Sequence, residues 1–236
     1  MQTITTRTPE ILSPRHAPGT PMNLILESND PSDYLSESGV IDFHSTPLQA
    51  KIAEIKSLAI GDENQARLAF TIVRDQIGHS FDLKSSFITI TASDTLTCGE
   101  GICFAKSHLL AALLRGLRIP AGFCYQRATR KGSPESGYAL HGLNAVYLPS
   151  RRLWFRLDPR GDKPGVHSEF CVERERLAYT IHPELGEIDY PYVFSSPLES
   201  VLASMRESVD CHELFSRRPQ DLGVPGAGIP KPQLNR

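Results

Sequence analysis

The chain has 236 residues, 40% of them apolar, with 25 basic side chains against 27 acidic ones and a formal net charge of −2. That is enough apolar material for one core. The balanced charge leaves neither a basic footprint for nucleic acid nor a polybasic segment for an anionic membrane, and no apolar run reaches the roughly 18 residues a spanning helix needs.

Residues 1–20 are rich in Thr and Pro and read as a flexible N-terminal tail, residues 21–215 as the domain, and residues 216–236 as a flexible Pro/Gly-rich C-terminal tail. From Met22 to Phe43, short apolar runs broken by Asn, Asp, Ser and Pro suggest one strand and loops. The period then becomes helical. Leu48, Ile52, Ile55 and Leu58 recur after Thr46-Pro47, and Gly61-Asp62 separates them from a second set, Ala66, Leu68, Ala69, Ile72, Val73 and Ile77. Residues 79–93 read as a loop with an extended piece, FITITAS.

The segment GEGICFAKSHLLAALLRGLRIPAG is the most informative in the chain, because it places Cys103 where a Gly-rich turn becomes a helix. A thiol at a helix N-terminus lies near unpaired backbone N–H groups and the positive end of the macrodipole, which lowers its pKa. The helix presents Ile102, Ala105, Leu109, Ala112, Leu113 and Leu117 along one broad face and cannot continue through Pro120. Three strand-like runs follow, AGFCYQRA, HGLNAVYL and LWFRLD. The second carries His141 and the third Asp158, so Cys, His and Asp occur in an order that supplies nucleophile, base and orienting carboxylate. The RKGSPESGY linker between the first two runs is long enough to overhang a site. Beyond the DPRG turn, the next helical signal is LESVLASM.

The second hairpin fixes a register. With Ser150-Arg151 at the centre of an even loop, Leu148 lies opposite Leu153 and Leu143 opposite Asp158. His141, Leu143, Ala145, Tyr147, Trp154, Arg156 and Asp158 then share one face, with His141 and Asp158 as diagonal neighbours. The opposite face, with Val146, Leu148, Leu153, Phe155 and Leu157, is apolar, and the Cys103 helix is expected on the His141 and Asp158 side.

These motifs resemble the transglutaminase-like superfamily of papain-like thiol enzymes, a group that includes bacterial transglutaminase-like proteins and candidate cysteine proteases. The resemblance covers about residues 68–161: VRDQIGHSFD, the Cys103 turn and helix, HGLNAVYL and WFRLDPRG. It implies an α+β core in which the nucleophile helix packs on an antiparallel sheet, with Cys103 as nucleophile, His141 as general base and acid, and Asp158 as the His-orienting carboxylate. It also implies an oxyanion hole made of the Cys103 N–H and an upstream donor, for which Thr97 is the nominee. Where the family carries Gly before the Ile-Pro after the helix, this chain has Arg118, so either the cap shifts to Gly116 or Arg118 takes a strained conformation.

The remaining polar residues have plainer readings. Cys98, Cys124, Cys171 and Cys211 are packing or incidental thiols, and five irregularly spaced cysteines without an apolar leader suggest a reducing, cytoplasmic compartment. His108 is a surface or packing residue, and Arg156 and Arg160 are salt-bridge partners of nearby carboxylates. Tyr138, Tyr147 and Trp154 belong to the core or a pocket wall. With no CxxC or HxxxH pair, neither metal nor cofactor is expected. The expected activity is hydrolysis of an amide or peptide substrate through a thioester. Transfer to an amine shares every step up to that intermediate, and an inactive peptide-binding module is the alternative outside enzymology.

Overall fold

Strong apolar periods and good end signals account for the helices. A computed structural model describes residues 22–223, so the tail expected over residues 1–20 and most of that over residues 216–236 lie outside the described part. After a two-residue strand, β1 (Ile25–Leu26), helix α1 (Thr46–Leu58) starts on Pro47 and buries Leu48, Ile52 and Ile55. Leu58 shares their period but is exposed at the helix end. Helix α2 (Asp62–Gln76) carries Asp62 and Glu63 in its first turn and Arg74 in its last, charges that suit the helix dipole.

The next stretch departs from expectation. Strand β2 (Gly78–His79) and a single-turn helix, α3 (Ser80–Leu83), stand where a loop was expected; residues 87–91 of FITITAS are non-helical, and helix α4 (Ala92–Cys98), which the sequence reading did not include, begins at its last two residues. Thr91 caps α4 by accepting the Asp94 N–H at 3.0 Å, and the helix buries Ala92 and Thr95. Strand β3 (Glu100–Gly101) then pairs in parallel with β2, His79 lying opposite Gly101.

Helix α5 (Cys103–Gly116) is buried on every side from Cys103 to Arg115, because α1, α2 and α4 enclose what the sheet leaves uncovered. Its two buried cations are satisfied by carbonyls. Lys106 Nζ donates to Ile77 O at 2.5 Å and Arg74 O at 3.3 Å, closing the C-terminal end of α2, and burial lowers its pKa to about 8. Arg115 donates to the carbonyls of Ala121, Ser36 and Ser195. The departure after α5 resolves in favour of strain. Arg118 takes a φ of 66°, whereas Gly116 is needed for close packing, since a Cβ there would stand 2.2 Å from Ile52 Cδ1.

The sheet is antiparallel, in the order β6-β5-β4-β7, from β4 (Ala121–Thr129), β5 (Tyr138–Leu148), β6 (Leu153–Leu157) and β7 (Ile188–Asp189). The hairpin register is the expected one, with Leu148 opposite Leu153 and Ala145 opposite Arg156. The face assignment needs correction. Helix α5 packs against Leu140, Gly142, Asn144, Val146 and Leu148, with Phe104 against Gly142 and the Ser107 carbonyl accepting from Asn144 Nδ2. The opposite face, with Leu143, Ala145 and Trp154, packs on Tyr34, Cys124 and Val193 instead, Val193 lying in strand β8 (Tyr192–Val193) beside β1. Helices α6 (Glu199–Glu207) and α7 (Cys211–Arg217) complete the chain. Helix α7 has no counterpart in the sequence reading and takes in residues 216 and 217 of the expected C-terminal tail, and Leu222 beyond it is buried. No described helix is long and apolar enough to cross a membrane.

Candidate active site

Cys103 is the first residue of α5, preceded by extended Ile102, so its N–H has no partner within the helix. Its sulfur reaches His141 by way of the open edge of β5. Strand β6 pairs only with residues 144–148, which leaves residues 138–143 paired with β4 alone. The Tyr147 N–H bonds back toward Pro120, and by alternation the N–H groups of Leu140 and Gly142 point away from β4 toward that open edge. The Gly142 N–H donates to the Cys103 sulfur. A Cβ on Gly142 would lie 2.6 Å from Phe104 Cδ1, so glycine is what lets the start of α5 approach this closely. The helix therefore covers one face of the sheet while its first residue meets an imidazole rooted on the other.

His141 and Asp158 meet as the register requires, Nε2 lying 2.8 Å from Asp158 Oδ2. Asp158 is fully buried and also accepts the Ala178 N–H at 3.0 Å and the Arg160 N–H at 3.1 Å. With Nε2 engaged, Nδ1 is the ring nitrogen left for Cys103, to which His141 is joined by a side-chain hydrogen bond.

The electrostatics follow from these contacts. Burial opposes ionisation of Cys103, but the hydrogen bond and charge of His141, with Arg218 and the Gly142 N–H, outweigh it and hold the thiol below its ordinary pKa. Burial likewise opposes protonation of His141, and the Asp158 charge and hydrogen bond, together with Cys103, raise it well above the usual imidazole value. Asp158 is held low against its own burial by His141 and the two backbone donors. The arrangement favours a thiolate–imidazolium pair. By contrast, burial pushes Cys124 up to about 12 and Cys211 up to about 11, as suits packing thiols.

The surroundings add residues that sequence reasoning missed. Tyr179 stands edge-on to His141 at 4.8 Å between ring centroids, and its hydroxyl accepts from Arg160 Nε at 2.9 Å. Arg160 also grips Asp82 of α3 at 2.5 and 3.0 Å, so one guanidinium ties the ring over His141 to the helical layer. His79, opposite Gly101, is buried and kept neutral by that burial, with the charge of Arg160 adding to it. Ala178, Tyr179 and Arg218 lie in stretches without periodicity, where no local signal marks them.

Other readings can be placed. Arg156 is wholly buried and doubly paired, with Glu175 at 2.7 Å and Asp189 at 2.6 Å. His108 is a packing residue, bonded to Ile90 O at 2.8 Å and edge-on to Phe123. Cys98 ends α4, outside the start of α5. The Thr97 hydroxyl is committed to Ser93 O at 2.8 Å on exposed α4 surface, which does not support it as the second oxyanion donor. No group of three or more potential metal ligands occurs among the described residues.

A cysteine-bearing helix set against an antiparallel sheet defines an α+β core of papain-like type. Residues 50–159, a little under half of the chain, match the family model of the transglutaminase-like superfamily. Among solved structures, the chain is similar to a candidate cysteine protease from Cytophaga hutchinsonii, at 21% identity over 56% of this chain and 43% of that one, with a TM-score of 0.46. It is also similar to the periplasmic domain of TgpA from Pseudomonas aeruginosa, at 19% identity over 56% of this chain and 48% of that one, with a TM-score of 0.42. The chain thus spans less than half of either relative. No curated protein matches it.

Proposed function

We propose that the chain is a thiol-dependent amide or peptide hydrolase in which Cys103, His141 and Asp158 are the catalytic residues. The observation that carries the reading is the buried His141–Asp158 pair, 2.8 Å apart, set beside the Cys103 thiol at the start of α5, an arrangement that holds the thiol low and the imidazole high. The Cys103 thiolate adds to the acyl carbon, and the developing oxyanion faces the unpartnered Cys103 N–H. The His141 imidazolium gives its proton to the leaving nitrogen as the C–N bond breaks, leaving a thioester. Water then attacks, His141 takes its proton, the C–S bond breaks, and acid and thiolate are released. A cytoplasmic setting belongs to the same proposal and rests on cysteine number and spacing alone.

Peptide amides and activated esters, with intact-mass detection of a covalent adduct, test the reading. Wild type should form an acyl-enzyme that disappears with turnover, and Cys103→Ala should form none while keeping the wild-type circular dichroism spectrum. An adduct on any other cysteine, or equal turnover by Cys103→Ala, would sink it.

A further inference from the structure

A nucleophile must be reached by its substrate, yet Cys103 is 2% exposed and His141 5% exposed. Beside them lies the chain's own C-terminal segment, held to the residue next to His141. Leaving α7, the chain passes over the open edge of β5, and the Pro219 carbonyl accepts the Leu140 N–H at 2.7 Å. Leu140 and Gly142 present their N–H groups on the same edge, two residues and so about 7 Å apart. The one nearer the hairpin serves the Cys103 sulfur, and the other holds the segment. Arg218, immediately before Pro219, carries a charge that favours the Cys103 thiolate and lies 4.8 Å from the Phe215 ring and 5.0 Å from the Phe81 ring.

The attachments differ in kind from the buried core. Arg130, at the end of the β4–β5 linker, donates to the carbonyls of Phe215, Ser216 and Arg218. Asp221 accepts from the Tyr190 hydroxyl at 2.5 Å and from Arg127 at 3.1 Å. These are charge-assisted contacts at partly exposed positions, which hold a segment in place while leaving it able to open separately from the fold. An unpaired strand edge is also where an extended peptide binds by main-chain hydrogen bonds.

We propose that residues 215–222 are a built-in competitor of substrate. They occupy the open edge of β5 where an extended peptide pairs its main chain beside Cys103, and they must leave before the thiol is acylated. The substrate class that follows is an extended peptide rather than a compact small amide. This rests on the thiol chemistry proposed above.

The test uses the full chain carrying Arg130→Ala with Asp221→Ala, substitutions outside the catalytic series. Three readouts are needed: hydrogen exchange over residues 214–222, the rate of Cys103 alkylation by iodoacetamide at pH 6, and the effect of a synthetic peptide of sequence FSRRPQDL. Exchange should rise, Cys103 should alkylate about tenfold faster than in wild type, and the peptide should slow the variant back toward the wild-type rate. Raised exchange with an unchanged Cys103 rate, fast in both proteins relative to the other four cysteines, would overturn the competitor and leave the thiol reading intact. A Cys103 rate no higher than those four in both proteins would overturn the thiol reading itself. Should the double variant unfold, Arg130→Ala alone is read by the same outcomes.

Discussion

Over residues 144–148, strand β5 is paired on both sides, by β4 and by β6, whereas over residues 138–143 only β4 pairs with it and the second edge faces Cys103 and Pro219. The backbone is equally regular in both halves. In the first half every outward N–H serves the ladder. In the second, two such groups are available for other purposes, one on the sulfur and one on the C-terminal segment. What divides the halves is the end of β6, where Asp158-Pro159 follows Leu157. Proline has no N–H to continue a ladder, and the Asp158 carboxylate is directed to His141 instead of outward. A strand that stops early thus creates both the open edge and the position of the Asp158 carboxylate beside His141.

The largest effect that would break this comparison lies at that stop. Asp158→Asn keeps the size of the side chain but loses the charge that raises His141, so turnover should fall by about 10²- to 10⁴-fold and the alkaline limb of the pH profile should move to lower pH. Wild-type turnover in a folded Asp158→Asn protein would remove Asp158 from the series. Next comes Gly142→Ala in the open half. Its Cβ meets Phe104, so the start of α5 must shift, costing roughly 1–3 kcal/mol in urea unfolding together with a marked loss of Cys103 reactivity. A second substitution, Phe104→Leu, should recover part of both. If Gly142→Ala lowers stability but leaves Cys103 reactivity untouched, the glycine is only a packing device.

The paired half should behave differently. Asn144 Nδ2 donates to Ser107 O at 3.1 Å and to Gly122 O at 3.2 Å, and Asn144→Ala should cost about 1–2 kcal/mol of stability with little change in turnover. A kinetic loss as large as that of Gly142→Ala would erase the distinction between the halves. The smallest effect concerns pH. Cys103 gives up its proton below the ordinary thiol range, and His141 keeps its proton above the ordinary imidazole range. The reactive pair therefore exists between those limits, lost in acid as the thiolate is protonated and in alkali as the imidazolium is deprotonated. Alkylation of Cys103 should change by less than about threefold from pH 7 to 8, where an ordinary thiol gains nearly tenfold. A tenfold rise at Cys103 would class it with ordinary thiols.

The same contrast explains what could be read before the structure. Hairpin register follows from loop parity and two-residue alternation, so the approach of His141 to Asp158 was legible from Leu148 and Leu153 alone. Helices α1, α2 and α5 carry period and end signals that agree. The side of the sheet taken by α5 was misjudged, because a side-chain pattern shows faces but not an unpaired edge, and Cys103 arrives along the edge. Helix α4 was hidden because it is short, with only Ala92 and Thr95 buried, and so lacks an apolar period. Tyr179, Ala178 and Arg218 were invisible for another reason. They lie in irregular chain positioned by carboxylates and carbonyls distant in sequence, such as the 78-residue step from Asp82 to Arg160.

Lys106, one helical turn along from Cys103, has a further consequence. Because its ammonium group finishes the end of α2, the axial position of α5 is gauged against a different helix rather than set by its own packing alone. A slide of α5 by a single residue's rise is about 1.5 Å, and a misplacement of that order costs about 100-fold in rate. Changes at the end of α2, far from any substrate, should therefore be felt as errors of alignment between sulfur and imidazole. The lysine works as a dowel pin, and wear in the neighbouring part shows up as lost precision in how Cys103 meets His141.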